Sequence, residues 1–217
     1  MKKITDDIHA ELIEKNSARE KALRVSREVI RLSANAIRAV HREEFDEARG
    51  LMDEARSKVD ETRNLLKDQL DIYYAGYVQD AQKEYAESEL TSAIVQDRPM
   101  PSHQELRVEC AAYLNGLGEA IGECRRHVLD IIRKGDLVRG EKLLQIMDDV
   151  YYMLVTFDYP DAVTGGLRRT TDMVRGVLER TRGDLTVTIR EQELEQAIDT
   201  AIARLNSENS GQNQGGD

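Results

Sequence analysis

The sequence predicts an all-α protein of long packed helices. Apolar residues recur at alternating three- and four-residue intervals from Ala22 to Ala39 and again from Phe45 to Leu66, the helical period. Only 3 prolines interrupt 217 residues, and β-branched runs are few. With 40% hydrophobic residues, the chain can form one substantial helical domain over residues 1–205, or a protomer that completes its core in an oligomer.

The first helix is expected from about Thr5 to His41. Ala22, Val25, Val29, Leu32, Ala36 and Ala39 form a heptad seam along it. At about 1.5 Å per residue the helix is about 50 Å long, too long for a small bundle. The second carries Phe45, Ala48, Met52, Ala55, Val59, Thr62 and Leu66, with Gly50 weakening it without ending it. A third covers about Leu70–Gln96 and stops at DRPMPSH, where Pro99 and Pro101 exclude regular helix. A fourth runs from about Gln104 to Lys134, with Gly135 as its cap and Asp136 ready to cap the next. The fifth spans about Leu137–Phe157. The sixth begins at Pro160, a good first-turn residue, and Gly165 and Gly166 interrupt it. Helical periodicity returns over Asp184–Leu205, although TVTI is locally ambiguous. Residues 206–217, NSENSGQNQGGD, have no apolar anchor and are expected to form a disordered polar tail.

No apolar run approaches the length of a membrane span, and acids follow the first lysines too closely for a signal peptide. Cys110 and Cys124 form no CxxC pair, so a reduced, cytoplasmic protein is the expectation. HExxH, P-loop and GxSxG patterns are absent, and no histidine follows a glutamate by three residues as a helical di-iron site requires. Cys124 has no evident base and reads as core packing. Glu123 precedes His127 by one turn, a surface pair as readily as a ligand pair.

The chemistry lies in the acids. EYAE places Glu84 and Glu87 on one helical face, and GEAIGEC places Glu119 and Glu123 one turn apart. Gly116, Gly118, Ala120 and Gly122 allow another helix to approach. The four carboxylates could therefore meet across two antiparallel helices joined by the proline loop. Gathered carboxylates repel one another unless a cation compensates, and oxygen-only ligands suit Mg²⁺, Mn²⁺ or Ca²⁺. Hydrolysis of a phosphodiester is a coherent reaction for such a site. Glu89 falls on the wrong face and is expected at the surface. ExxE pairs are also common as solvated faces in a chain with 41 acids.

Net charge is −10, which by itself argues against nucleic acid, but 22 of the 31 basic residues are arginine. Arg24, Arg27, Arg31 and Arg38 share one face of the first helix. They form either a phosphate-binding stripe or a solvated flank balancing Glu20 and Glu28. Tyr73, Tyr74, Tyr77, Tyr85, Tyr151 and Tyr152 could stack on bases, though packing at helix interfaces is the commoner role.

From about Arg19 to Arg190 the sequence resembles the translin/Trax family, specifically a prokaryotic, archaeal-type Trax-like member. The resemblance rests on EYAESE at 84–89, LRVECAAYLNGLGEAIGECRR at 106–126 and RKGD at 133–136, in that order and separation. It implies a seven-helix translin-like fold assembled into a hollow homo-oligomer, commonly an octamer. It also implies a Mg²⁺- or Mn²⁺-dependent endoribonuclease acting on single-stranded RNA, with single-stranded DNA as a second ligand and duplex RNA a poorer substrate. Glu84 and Glu87 match the family's two glutamates, Glu119 stands where it has an aspartate, and Glu123 matches its next glutamate. All four are implied as catalytic and metal-binding. Ala112 replaces an acid that usually precedes the family's tyrosine. The extra methylene of Glu119 can move a ligand by about 1 Å. The arginine face becomes the implied nucleic-acid-binding stripe. A noncatalytic translin-like binding shell, a helical nucleotide pyrophosphohydrolase and a plain helical assembly protein are the rival readings.

Overall fold

The computed structural model describes residues 1–212, with side chains described through residue 206. Of the tail expected over 206–217, residues 206–212 continue the last helix, and 213–217 lie outside the described residues. The helices are α1 (Lys2–His41), α2 (Phe45–Leu65), α3 (Leu70–Tyr73), α4 (Gly76–Val95), α5 (His103–Leu106), α6 (Cys110–Arg133), α7 (Leu137–Val155), α8 (Asp161–Thr164) and α9 (Leu167–Gln212). Described residues thus contain six long helices and three single turns, where seven helices were expected. The third helix, expected over Leu70–Gln96, breaks at Tyr74 and Ala75. The fourth, expected from Gln104, breaks over 107–109, where Arg107 has a φ of 57°. The remaining difference lies at both ends of the expected sixth helix. Gly165 and Gly166, at φ of 61° and 85°, end α8 after one turn, and α9 then continues through TVTI without a break. Leu185 is fully buried there, while the Thr186 and Thr188 hydroxyls donate back to the Arg182 and Asp184 carbonyls. Tertiary burial overrides the local strand preference, and the back-bonds leave the threonine hydroxyls paired within the helix.

The seam predicted on the first helix is buried: Ala22, Val25, Val29, Leu32, Ala36 and Ala39 are at most 2% exposed. It lets α1 lie between α2 and α4, and α6 in turn packs on α4, α7 and α9. α4 is the central helix, buried continuously from Tyr85 to Val95. Its small polar residues Ser88, Thr91 and Ser92 admit neighbours where bulky side chains would hold them off. The N-terminal half of α1 and α9 beyond Leu185 are largely exposed. Among the described residues no helix is long and apolar enough to cross a membrane.

The connection between α4 and α6 departs from the antiparallel hairpin expected for it. Gln82, near the start of α4, accepts from the Glu109 backbone at the start of α6, while Arg139, just beyond α6, donates to the Ile94 and Val95 carbonyls at the end of α4. The two helices therefore run parallel. Residues 96–109 return along the outside of α2, where Arg56 and Arg63 donate to the carbonyls of Glu105 and Arg107, and Arg107 pairs with Asp60 at 3.3 Å. Ten non-helical residues and the single turn of α5 reach at most about 39 Å, ample to retrace a helix about 30 Å long. Ser102 and Glu105 form a capping box on α5 within this return. Gly135 (φ 84°) follows α6, and Asp136 caps α7 by accepting from the Arg139 amide, both as expected.

Candidate metal centre and nucleic-acid face

Close contact between α4 and α6 builds the acidic site. A Cβ on Gly116 would lie 2.6 Å from the Lys83 carbonyl oxygen and 3.1 Å from both the Ala86 Cβ and the Glu87 nitrogen. Only glycine permits that approach. In the parallel register it brings Glu84 and Glu87 of α4 against Glu119 of α6, each offering one carboxylate oxygen within 4.8 Å of the others.

The three acids differ in environment. Glu87 is 8% exposed, and burial, followed by the charges of Glu84, Glu119 and Glu123, pushes its carboxyl up to about 8. Glu84 is also raised, chiefly by burial; Lys83 opposes that shift and Glu119 adds to it. The Lys83 ammonium lies 2.7 Å from Glu119 and 3.5 Å from Glu84. Burial alone would lower the lysine, but these acids outweigh it and hold it above its ordinary value.

Glu123, the fourth predicted residue, is not in the three-carboxylate cluster. Its Oε2 lies 2.5 Å from Nε2 of His41, contributed by the last turn of α1. That bond, opposing burial and aided by the charges of His41 and Arg126, holds the Glu123 carboxyl below its usual range. The charge of Glu123 still reaches Glu87, so the fourth acid borders the cluster. His127 takes no part in this hydrogen bond; burial lowers its pKa, with further lowering from His41 and Arg139.

Glu89, expected at the surface, is 6% exposed and held by Arg49 at 3.1 and 3.2 Å and by the Tyr85 hydroxyl at 3.3 Å. The correction follows from α4 being enclosed on all sides, so that no face of its second half reaches water. Cys124 is buried, which pushes its thiol up to about 12 and leaves it a core residue. Tyr73 and Tyr85 are core residues, whereas Tyr74 and Tyr152 are exposed.

Arg24, Arg27, Arg31 and Arg38 are all exposed on α1. Arg38 donates to Asn35 at 2.7 Å; the other three make no ion pair among the described residues. Continuing their three- and four-residue spacing through Ala34 leads to His41, so the row ends beside Glu123. From Arg24 to His41 it spans about 26 Å at 1.5 Å per residue. Neither His41 nor Lys83 stands out in the helical periodicity of the sequence. His41 carried a usable signal in its spacing from the arginines, whereas Lys83 had only its adjacency to Glu84.

Three carboxylates with one displaceable ammonium suit a hard divalent cation. The donor chemistry fits Mg²⁺ or Mn²⁺, and the raised carboxyl of Glu87 reflects its burial first and the neighbouring carboxylates second.

No family model matches the chain. An uncharacterized protein of Methanocaldococcus jannaschii is 33% identical over 199 residues, covering 91% of this chain and 88% of its own. Among solved structures, AfC3PO in complex with duplex RNA matches with a TM-score of 0.81 at 29% identity, over 86% of this chain and 97% of that one. The crystal structure of AfC3PO matches at 0.80 with the same identity and coverage. Apo-NeC3PO, at 21% identity and a TM-score of 0.77 over 85% of this chain and 96% of that one, shares the fold.

Proposed function

Because the chain belongs to the translin/Trax family, we propose that it is a metal-dependent endoribonuclease that cuts single-stranded RNA inside a hollow homo-oligomer. The observation that carries the proposal is the convergence of Glu84, Glu87 and Glu119 at the contact of α4 with α6. These three residues would hold Mg²⁺ or Mn²⁺. The ion would supply positive charge to the phosphoryl oxygens as the phosphodiester is broken.

The chain's own groups account for binding and orientation. Arg24, Arg27, Arg31 and Arg38 hold the phosphates of the strand and lead it along α1 toward the acids. Glu123, ionised under its bond with His41, accepts a hydrogen bond from the attacking water and orients it. Lys83 balances the cluster until the divalent ion enters, and then becomes available to a phosphate oxygen. An octamer is the proposed assembly, with single-stranded DNA as a second ligand and the cytoplasm as its place of action.

AfC3PO is described with duplex RNA, so strand preference is the part of the proposal most exposed to test. A noncatalytic, translin-like binding shell is the second reading. It is favoured by Lys83, which already places a positive charge against Glu119 and Glu84.

The deciding experiment presents labelled unstructured RNA and the corresponding duplex to the purified protein, with Mg²⁺, Mn²⁺ or EDTA. Glu84→Gln protein of verified assembly is the control. Internal cleavage that needs metal, is faster on the single strand and falls at least about a hundredfold in the variant is expected. Faster duplex cleavage would reverse the strand assignment. Binding without products in any lane would establish the noncatalytic shell.

A further inference from the structure

We propose that His41 is a positioning residue that keeps Glu123 apart from the metal-binding cluster, dividing the four acids into three ligands and one water-orienting group. The inference rests on the ribonuclease reading for its catalytic part and on side-chain geometry for the rest. Glu119 and Glu123 sit one turn apart on α6, so spacing alone offers both to the same ion. Glu119 enters the cluster; Glu123 instead lies 2.5 Å from a ring 82 positions away in sequence.

Three features show that this contact is built into the fold. The His41 side chain is 4% exposed, too enclosed for its ring to swing into water. Its backbone is fixed by Ala39 and Val40, both fully buried, in the cluster that joins the end of α1 to α2 and Val95. Its Nδ1 is buried with no hydrogen-bond partner, so the imidazole is not retained to satisfy a balanced polar network. The contact with Glu123 accounts for its one paired nitrogen. An ionised carboxylate can only accept, so Nε2 carries the hydrogen and donates it to Oε2. Glu123 remains near enough to the cluster for its charge to act on Glu87.

The alternative is that Glu123 is itself a ligand and His41 its outer partner, an arrangement in which losing the partner weakens metal binding about 10- to 100-fold. Calorimetric titration of the metal-free full-length protein with Mn²⁺ separates the two. His41→Phe keeps a buried ring and removes the donor, whereas His41→Gln retains an amide donor. His41→Phe is expected to bind Mn²⁺ at least as tightly as wild type, because the freed Glu123 can join the cluster. Cleavage should lose at least about tenfold in kcat with KM for RNA unchanged, and His41→Gln should recover most of it.

Tenfold weaker Mn²⁺ binding in His41→Phe, or an unchanged kcat, overturns the inference. Should His41→Phe fail to fold, Glu123→Gln serves instead: Mn²⁺ affinity within about twofold of wild type supports the division, and a tenfold loss overturns it. Wild-type protein that binds Mn²⁺ in the expected pattern without cutting RNA refutes the ribonuclease reading while leaving the 3-plus-1 division intact. Metal-dependent cleavage together with weakened Mn²⁺ binding in the histidine variant does the reverse.

Discussion

Replacing Glu87 with glutamine should stabilise the metal-free protein while destroying its metal response. Glu87 is buried, and burial together with Glu84, Glu119 and Glu123 raises its carboxyl from 4.5 to about 8. In the unfolded chain the same group titrates near the ordinary glutamate value. Between about pH 4.5 and pH 8 the folded state therefore holds a proton that the unfolded state has lost. Stability is unaffected by this group below that window, falls as pH rises through it, and levels off above about 8. At about 1.4 kcal/mol per pH unit, folding at pH 7 forfeits up to about 3 kcal/mol through this one group. Glutamine removes the charge at nearly constant volume. For a chain of this size the gain corresponds to about 5–10 °C in Tm. Thermal unfolding in EDTA from pH 5 to pH 8 should show wild type losing stability and Glu87→Gln changing little. Adding Mg²⁺ should raise the wild-type Tm and leave the variant unmoved. Parallel pH profiles for the two proteins would refute the reasoning, because the buried carboxylate would then carry no repulsion for a cation to relieve.

Lys83→Met removes the internal cation, so the metal-free protein should lose about 1–3 kcal/mol while its thermal shift on adding Mg²⁺ grows; an unchanged shift would mean that Lys83 does not compensate the cluster. Gly116→Ala drives a Cβ to 2.6 Å from the Lys83 carbonyl, and forcing α4 and α6 apart should cost about 1–3 kcal/mol in denaturant titrations and weaken Mn²⁺ binding. Replacing Arg24, Arg27 and Arg31 together by glutamine should reduce the slope of log K against log salt for single-stranded RNA by about 2, with kcat at saturating RNA preserved; an unchanged slope would show that this row does not meet the phosphates.

Much of the fold can be read locally. The seam from Ala22 to Ala39, the stop at Pro99 and Pro101, and the Gly135–Asp136 junction follow from periodicity, ring chemistry and capping, all properties of a few neighbouring residues. TVTI was ambiguous for the same reason: its local preference gives no sign that Leu185 will be buried by packing from elsewhere.

The candidate site divides along the same line. Helical spacing by itself placed Glu84 with Glu87 and Glu119 with Glu123, and the order of the acidic segments pointed to the family. Whether the two pairs would meet, and in which direction, depended on the path of residues 96–109. That path is set by Arg56 and Arg63 of α2, which donate to the Glu105 and Arg107 carbonyls, by Arg107 on Asp60, and by Gln82 of α4, which accepts from the Glu109 amide at the start of α6. Tertiary structure alone decided that α4 and α6 run parallel, that Glu89 is buried against Arg49, that Lys83 faces Glu119, and that His41 draws Glu123 aside. Periodicity reports which side chains share a face of one helix, whereas charge compensation depends on distances across space between residues as far apart as His41 and Glu123.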